Sequence, residues 1–376
     1  MIFLDNAATT FRKPPNVYKA VQSTMHTCAS VGRGSYESAQ AAASKVLECR
    51  LELQKLFNLK DPASAAFTYN ATMALNMAIK GLAYDGAKVL ISGYEHNAVV
   101  RPLDALRNRD VIYEPVCAPL FEPEKLIENF RHALSKGADL VVCNHVSNVF
   151  GYILPIYEID ELCDAYGVPL IVDASQSAGI LPIDVQKFKA ARFICMPGHK
   201  GLFGPQGTGV LICLDDEAST IIEGGTGSDS ASAAQPGYMP DKFESGTHNV
   251  AGIAGLCEGI RFVRHEEFAR IRQHEHTLIA HAANSLKKLG NFDVYYAPDM
   301  KLQSGVLSFV PKSVTPERFC ELMGSAGISL RAGLHCAPLA HRTAGTFDTG
   351  TVRLSVSPLN TMRDIDRFLT AASAVR

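Results

Sequence analysis

Along the chain, runs of four or five apolar residues alternate with longer stretches whose apolar positions recur every three or four. The short runs, at 88–92, 140–143, 170–173, 193–196 and 210–214, predict strands. The stretches at 72–82, 99–108, 123–134 and 156–166 predict helices. Strands that alternate with helices predict an α/β fold with a mostly parallel sheet covered on both faces. The link between the last two strands is too short for a helix, so 210–214 is expected to run antiparallel to 193–196.

A second pattern starts after about residue 255. A helical stretch over 250–289 leads to a strand at 305–310, a helix at 316–326, a strand at 352–357 and a final helix at 362–372. These predict a smaller α+β domain. Residues 223–240, rich in Gly, Ser and Ala, read as a long loop of the kind used by active sites and interfaces.

Composition narrows the function classes. A chain of 376 residues that is 47% apolar can build a large core. With 36 basic and 38 acidic residues, nothing electrostatic points to nucleic acid or an acidic membrane surface. Met1–Asn6 has no basic segment followed by an apolar run, and no run approaches about 18 apolar residues. The expectation is a cytoplasmic protein. The ten cysteines form no C-x-x-C pair. Cys143, Cys195 and Cys213 lie inside apolar runs and read as small buried hydrophobes in a reducing compartment. Cys336 differs, because it sits in the polar, glycine-containing loop 331–338.

In open α/β sheets, ligands bind beyond the carboxyl ends of the strands. The strand at 170–173 ends in Asp173, and one crossover later Lys200 sits in the glycine-rich loop 197–207. A lysine amine can form a Schiff base with pyridoxal phosphate while an aspartate keeps the pyridine nitrogen protonated. Residues 95–97 and 144–148 follow neighbouring strands, so His, Asn, Asp, Gln and Lys side chains converge on one rim. The helix starting near Thr72 offers N–H groups and a hydroxyl to a phosphate, or carries a simple N-cap. The glycine-rich loop lacks Walker spacing, and no helix follows Gly204, Gly207 and Gly209, so neither nucleotide motif applies. Cys336, His335 and His341 fall short of a zinc ligand set, and no metal is expected.

Several segments together carry a resemblance. They are Phe3-Leu4-Asp5-Asn6-Ala7-Ala8-Thr9-Thr10, residues 145–151, Asp173-Ala174-Ser175-Gln176, Gly198-His199-Lys200, Glu244-Ser245-Gly246-Thr247-His248-Asn249, the loop 331–337 and Arg353. Over nearly the whole chain these resemble the fold-type I pyridoxal phosphate enzymes of the class V aminotransferase group, specifically the cysteine desulfurases and selenocysteine lyases. The short Cys loop resembles their group II members.

The resemblance implies a large cofactor-binding domain over 16–255 with a seven-stranded, mostly parallel sheet. A small domain of 1–15 and 256–376 would carry the Cys loop and Arg353. Lys200 would hold pyridoxal 5'-phosphate and move the substrate α-proton, Asp173 would pair with the ring nitrogen, and His96 would stack on the ring. Gln176 and Asn148 would bind the phenolic oxygen. Thr72, the Ala71 backbone and His199 would hold the phosphate, with Thr247 reaching the phosphate of the other subunit of a homodimer. Arg353 would clamp the substrate carboxylate, with Asn148, Arg331 and the partner-facing Arg33 also at the substrate. Cys336 would accept sulfur from L-cysteine, in a positive setting supplied by Arg331 and His335, and pass it to a sulfur-acceptor protein for iron–sulfur clusters or other thio-compounds. The alternatives are a selenocysteine lyase, a class V aminotransferase or β-lyase, and a non-catalytic sulfur-relay scaffold. Three positions depart from the pattern. Pro197 stands where many relatives carry serine, Ala71 where group II members often have threonine, and Leu334 where they often have histidine.

Overall fold

The structure, a computed structural model, describes every residue except Arg33, Asp216 and Arg376. Seven strands form the large sheet, in the order Ala65–Thr68, Gly209–Cys213, Ala191–Pro197, Leu170–Asp173, Leu140–Asn144, Lys88–Ser92 and Ile112–Val116. Gly209–Cys213 runs antiparallel to both neighbours, as its short link demands, and the other pairings are parallel.

Leu140–Asn144 and Leu170–Asp173 are buried at every position, because helices cover both faces of the sheet. Their sequences are therefore continuous apolar runs, which made them legible. The two edge strands were not predicted. Ile112–Val116 carries Pro115 and is buried only at Val116, a composition that suits an edge. Ala65–Thr68 hides behind two alanines of low strand propensity.

Helices Ala71–Leu82, Pro123–Leu134 and Ile156–Tyr166 lie where the apolar periodicity puts them. The expected helix over 99–108 is Asn97–Ala105, followed by a 3-10 turn at Leu106–Arg109. The long helix expected over 250–289 is two helices, Val250–Glu266 and Phe268–Leu289. They break at Glu267, whose φ of 62° is left-handed. No Gly or Pro marks this break. Val250–Glu266 packs Ile253, Leu256 and Ile260 into the core of the large sheet, whereas Phe268–Leu289 turns Leu278, Ile279 and Leu286 into a second core. Two further helices, Pro15–Thr27 and Glu37–Phe57, pack on Val250–Glu266.

The second core lies under a four-stranded antiparallel sheet ordered Arg331–Gly333, Thr351–Ser355, Val306–Pro311 and Phe292–Tyr295. Phe292, Phe309 and Phe319 meet edge to face there, with ring centroids 5.5–5.7 Å apart. Ile2–Phe3 pairs in parallel with Ile328–Ser329, so the start of the chain belongs to this body. Among the described residues no helix is long and apolar enough to cross a membrane. Cys143, Cys195 and Cys213 are buried, and Cys336 is exposed.

A buried ion pair ties these layers together. The Arg50 guanidinium, on Glu37–Phe57, pairs with Glu244, donates to the Ala65 carbonyl and lies 4.7 Å from the Phe67 ring centroid. Glu244 also accepts from the Phe67 N–H at 2.6 Å and lies 2.7 Å from His248 Nε2. Removing one partner of such a pair strands a charge away from water, which costs about 3–5 kcal/mol. Glu244→Ala is expected to lower the unfolding free energy in urea by about that amount. A loss below about 1 kcal/mol, the scale of an exposed pair, would show that solvent screens Arg50.

Candidate active site

The carboxyl ends of the parallel strands open onto a cleft of about 510 Å³. Ala71, Thr72, His96, Asn148, Asp173, Gln176, His199 and Lys200 all line it, so every residue predicted to hold a cofactor is present except Thr247. Register explains part of this convergence. Asn144 is paired with Asp173 across adjacent strands, and Asp173 with Cys195. Glycine explains another part. Gly179 has a φ of 83°, and a Cβ on it would lie 2.2 Å from the Gly201 carbonyl oxygen, so the turn after Asp173 can press directly against the Lys200 loop.

Lys200 is half-buried, and its amine makes no hydrogen bond to a described residue. Burial lowers its pKa to about 8; the carboxylates of Asp173 and Asp5 oppose the fall, and the guanidiniums of Arg353 and Arg331 add to it. Asp173 is pushed up by burial, against a Ser175 hydrogen bond and the Lys200 charge. Its Oδ1 accepts from the Ser175 N–H at 2.9 Å.

Glu95 was not predicted as a site residue. It is fully buried behind Asp173, and burial together with the Asp173 charge raises it to about 8. Its Oε1 accepts from the Asn144 N–H at 2.7 Å and from the Ser92 hydroxyl at 2.6 Å, while Oε2 has no partner. An acid directly before His96 in a strand-end loop was the available signal.

His96 Nδ1 accepts from the Ala98 N–H at 3.0 Å, so the proton of the neutral ring sits on Nε2. Burial, with the Lys200 charge, holds this imidazole down at about 4. His199 is also held at about 4 by burial, and its Nδ1 lies 3.0 Å from the Thr9 hydroxyl. At the start of Ala71–Leu82, the expected N-cap is present. Asn70 caps the helix through the Met73 N–H at 2.9 Å, which leaves the Ala71 and Thr72 N–H groups free of partners among the described residues.

Four predicted residues stand outside the cleft lining. Thr247 is exposed and lines, with Thr68 and Tyr69, a separate hollow of about 460 Å³. Arg353 is fully buried. Its Nη2 pairs with Asp5 Oδ1 at 2.7 Å and its Nη1 donates to the Asn148 carbonyl at 3.0 Å, while Nε has no partner. Arg331 is its register partner on the next strand. Cys336 is exposed, and Arg331 Nη2 lies 4.0 Å from its Sγ. Arg33 lies outside the described residues.

One electrostatic expectation is corrected. His335 supplies no positive charge to Cys336, because burial, followed by the Arg353 charge, drives its imidazole down to about 2. Arg331 is the cation beside the thiol, and the Arg353 charge also acts on it.

Residues 2–368 match the Aminotransferase class-V family model, and the chain belongs to this family. A protein named probable cysteine desulfurase from Methanothermobacter thermautotrophicus is 30% identical, over 97% of this chain and 92% of its own. An apo cysteine desulfurase from Thermococcus onnurineus NA1 superposes with a TM-score of 0.90 at 28% identity, covering 99% of this chain and 94% of that one. A cysteine desulfurase from Escherichia coli, solved as an S-sulfonic acid, gives 0.87 at 26% identity, covering 100% and 94%. The fold-type I expectation stands.

The lowered pKa of Lys200 has a direct readout. Its amine becomes the free base as pH rises through about 8. Reductive methylation of Lys200 in the cofactor-free protein, followed by mass spectrometry, should therefore climb about tenfold per pH unit and level off near 8. Asp173→Asn should move the plateau to lower pH, since that carboxylate opposes the fall. A plateau near the ordinary lysine value of about 10.4 would show a solvated amine.

Proposed function

We propose that this protein is a pyridoxal 5'-phosphate-dependent cysteine desulfurase that converts L-cysteine to L-alanine and leaves the sulfur as a persulfide on Cys336. One arrangement carries the reading. A cleft amine, Lys200, lies between a buried carboxylate and a free helix N-terminus, next to a loop whose exposed thiol faces a guanidinium.

The residues fit the cofactor. The Asp173 carboxylate, destabilised by burial, gains most from a positively charged ring N–H. The Ala71 and Thr72 N–H groups and the Thr72 hydroxyl suit a phosphate at a helix start. Pro197 has no donor to add there, so the backbone and His199 carry that part. Asn148 Oδ1 is buried without a partner, so this amide has hydrogen-bonding capacity left for a ring substituent.

When bound, pyridoxal phosphate supplies an electron sink for bonds at the substrate α-carbon. Lys200 Nζ carries the group and moves the α-proton. Asp173 keeps the ring nitrogen protonated, and neutral His96 stacks on the ring without adding charge. Arg353, with Arg331 beside it, receives the substrate carboxylate in a bidentate pair. Asp5 holds the Arg353 guanidinium in place from the other side. The Cys336 thiolate attacks the substrate sulfur. The carbon–sulfur bond breaks, a sulfur–sulfur bond forms, the β-carbon takes up a proton and alanine leaves.

Thr247 is exposed and lines a hollow separate from its own cleft, which supports a homodimer in which it contacts the partner's phosphate. The partner-facing role of Arg33 belongs to the same reading. So does the division into a large domain (16–255) and a small domain (1–15 with 256–376), although Val250–Glu266 packs with the large sheet and Glu267 is the better hinge. Exposure of Cys336 suits transfer of its sulfur to an acceptor protein.

With Cys336→Ala, alanine release from L-cysteine should fall to background while release from L-selenocysteine persists, because the carbon–selenium bond breaks more easily. Sulfur-labelled L-cysteine should label Cys336 in the parent enzyme. Unchanged cysteine turnover in the variant would overturn the reading.

A further inference from the structure

We propose that His335 is the positioning residue of the Cys336 loop: its buried imidazole, stacked on His341 and bonded to Thr351, locks two successive left-handed residues and so keeps the Cys336 thiol beside Arg331. The proposal rests on the reading of Cys336 as the sulfur-accepting thiol.

His335 and Cys336 have φ values of 49° and 56°. Residues that carry a Cβ adopt this region rarely, and two in succession persist only where their surroundings over-determine them. The backbone is held from outside. Asn148 Nδ2 donates to the His335 carbonyl at 2.9 Å, and the Asn97 N–H donates to the Cys336 carbonyl at 2.8 Å. The thiol side chain contributes nothing to this lock. It is exposed, and its near neighbour is the likewise exposed Arg331.

The side chain that anchors the pair is His335, which is 4% exposed. Its Nε2–H donates to the Thr351 carbonyl at 3.1 Å, which places the proton on Nε2 and leaves Nδ1 buried without a partner. The His335 and His341 rings stack at 5.8 Å and 28°. His341 is fully buried, and its ring centroid lies 5.7 Å from that of Phe150. Burial holds His335 at about 2 and His341 at about 4, so both rings stay neutral at neutral pH and the stack carries no repulsion. The chain thus sets an inert, wedged imidazole directly before the residue that must be free to react.

Three substitutions separate the parts of this lock. His335→Ala removes both ring and hydrogen bond. His335→Gln keeps an N–H at the Nε2 position. His335→Asn tolerates the left-handed backbone yet is too short to reach Thr351. The readouts are kcat and KM for alanine formation, the iodoacetamide alkylation rate of Cys336, and the pH plateau of Lys200 methylation. For His335→Ala, kcat should fall about 10²-fold, the scale of an ångström-sized misplacement, with KM for L-cysteine and the Lys200 plateau unchanged. The Cys336 alkylation rate should change in step, and His335→Gln should recover most of the loss. Values of kcat and alkylation within about twofold of the parent would overturn the proposal. Equal losses in KM and the Lys200 plateau would also overturn it, since they mark a general structural role. If the alanine variant does not fold, His335→Asn decides alone: parent-like kcat sinks the proposal, and low kcat at unchanged KM supports it. If the parent enzyme makes no alanine from L-cysteine, the functional reading fails instead, and the alkylation rates of the variants still decide whether His335 places the thiol.

Discussion

The His199 carbonyl, one residue before the cleft lysine, is ringed by donors from the first thirteen residues. The Thr10 N–H, the Thr9 and Thr10 hydroxyls and the Lys13 amine all lie 3.1–3.2 Å from it. The same peptide continues across the cleft. Gln176 donates to the Ala7 carbonyl at 2.9 Å, the Ala7 N–H donates to the Ser355 hydroxyl at 2.9 Å, and Asp5 pairs with Arg353. A segment without regular structure thus satisfies polar groups on two other segments, as burial requires. The Lys200 loop, the turn after Asp173 and the strand Thr351–Ser355 hold their relative positions through it.

The parts of this arrangement that could be read in the chain are those where one local property implies the fold. Leu140–Asn144 and Leu170–Asp173 are apolar throughout because they are covered on both faces, and their ends then locate Asn148, Asp173 and Lys200 on one rim. Ile112–Val116 lacks that property because one side of it faces solvent. The break at Glu267 is held by tertiary packing, with a residue type that signals nothing. The Asp5–Arg353 pair spans 348 positions, and no periodicity connects such distant residues. The coupling of Glu95 to Asp173 shows only once folding brings the two carboxyls near each other. His335 was misjudged as a cation for a related reason. A loop histidine is ordinarily solvated, and only the folded small body shows that this one is not.

Burial decides the charge pattern of the site. The imidazoles of His96, His199 and His335 are all kept neutral by desolvation, so the positive potential comes from the guanidiniums of Arg331 and Arg353. Lys200, in the cleft, and Glu95, fully buried below it, are both held near 8, within reach of neutral pH. Both interact with the same carboxylate, Asp173. A change of charge on that carboxylate is therefore felt by both.

The parallel pair of Ile2–Phe3 with Ile328–Ser329, and the bond from Asp5 to Arg353, also impose a timetable. During synthesis the amino terminus leaves the ribosome first, and domains generally form as their residues emerge. The large sheet has all its strands once residue 213 is out. Ile2, Phe3 and Asp5, by contrast, pair with residues 328, 329 and 353, which follow much later. They are made long before these partners, so this side of the site is held only after residue 353 has been synthesised.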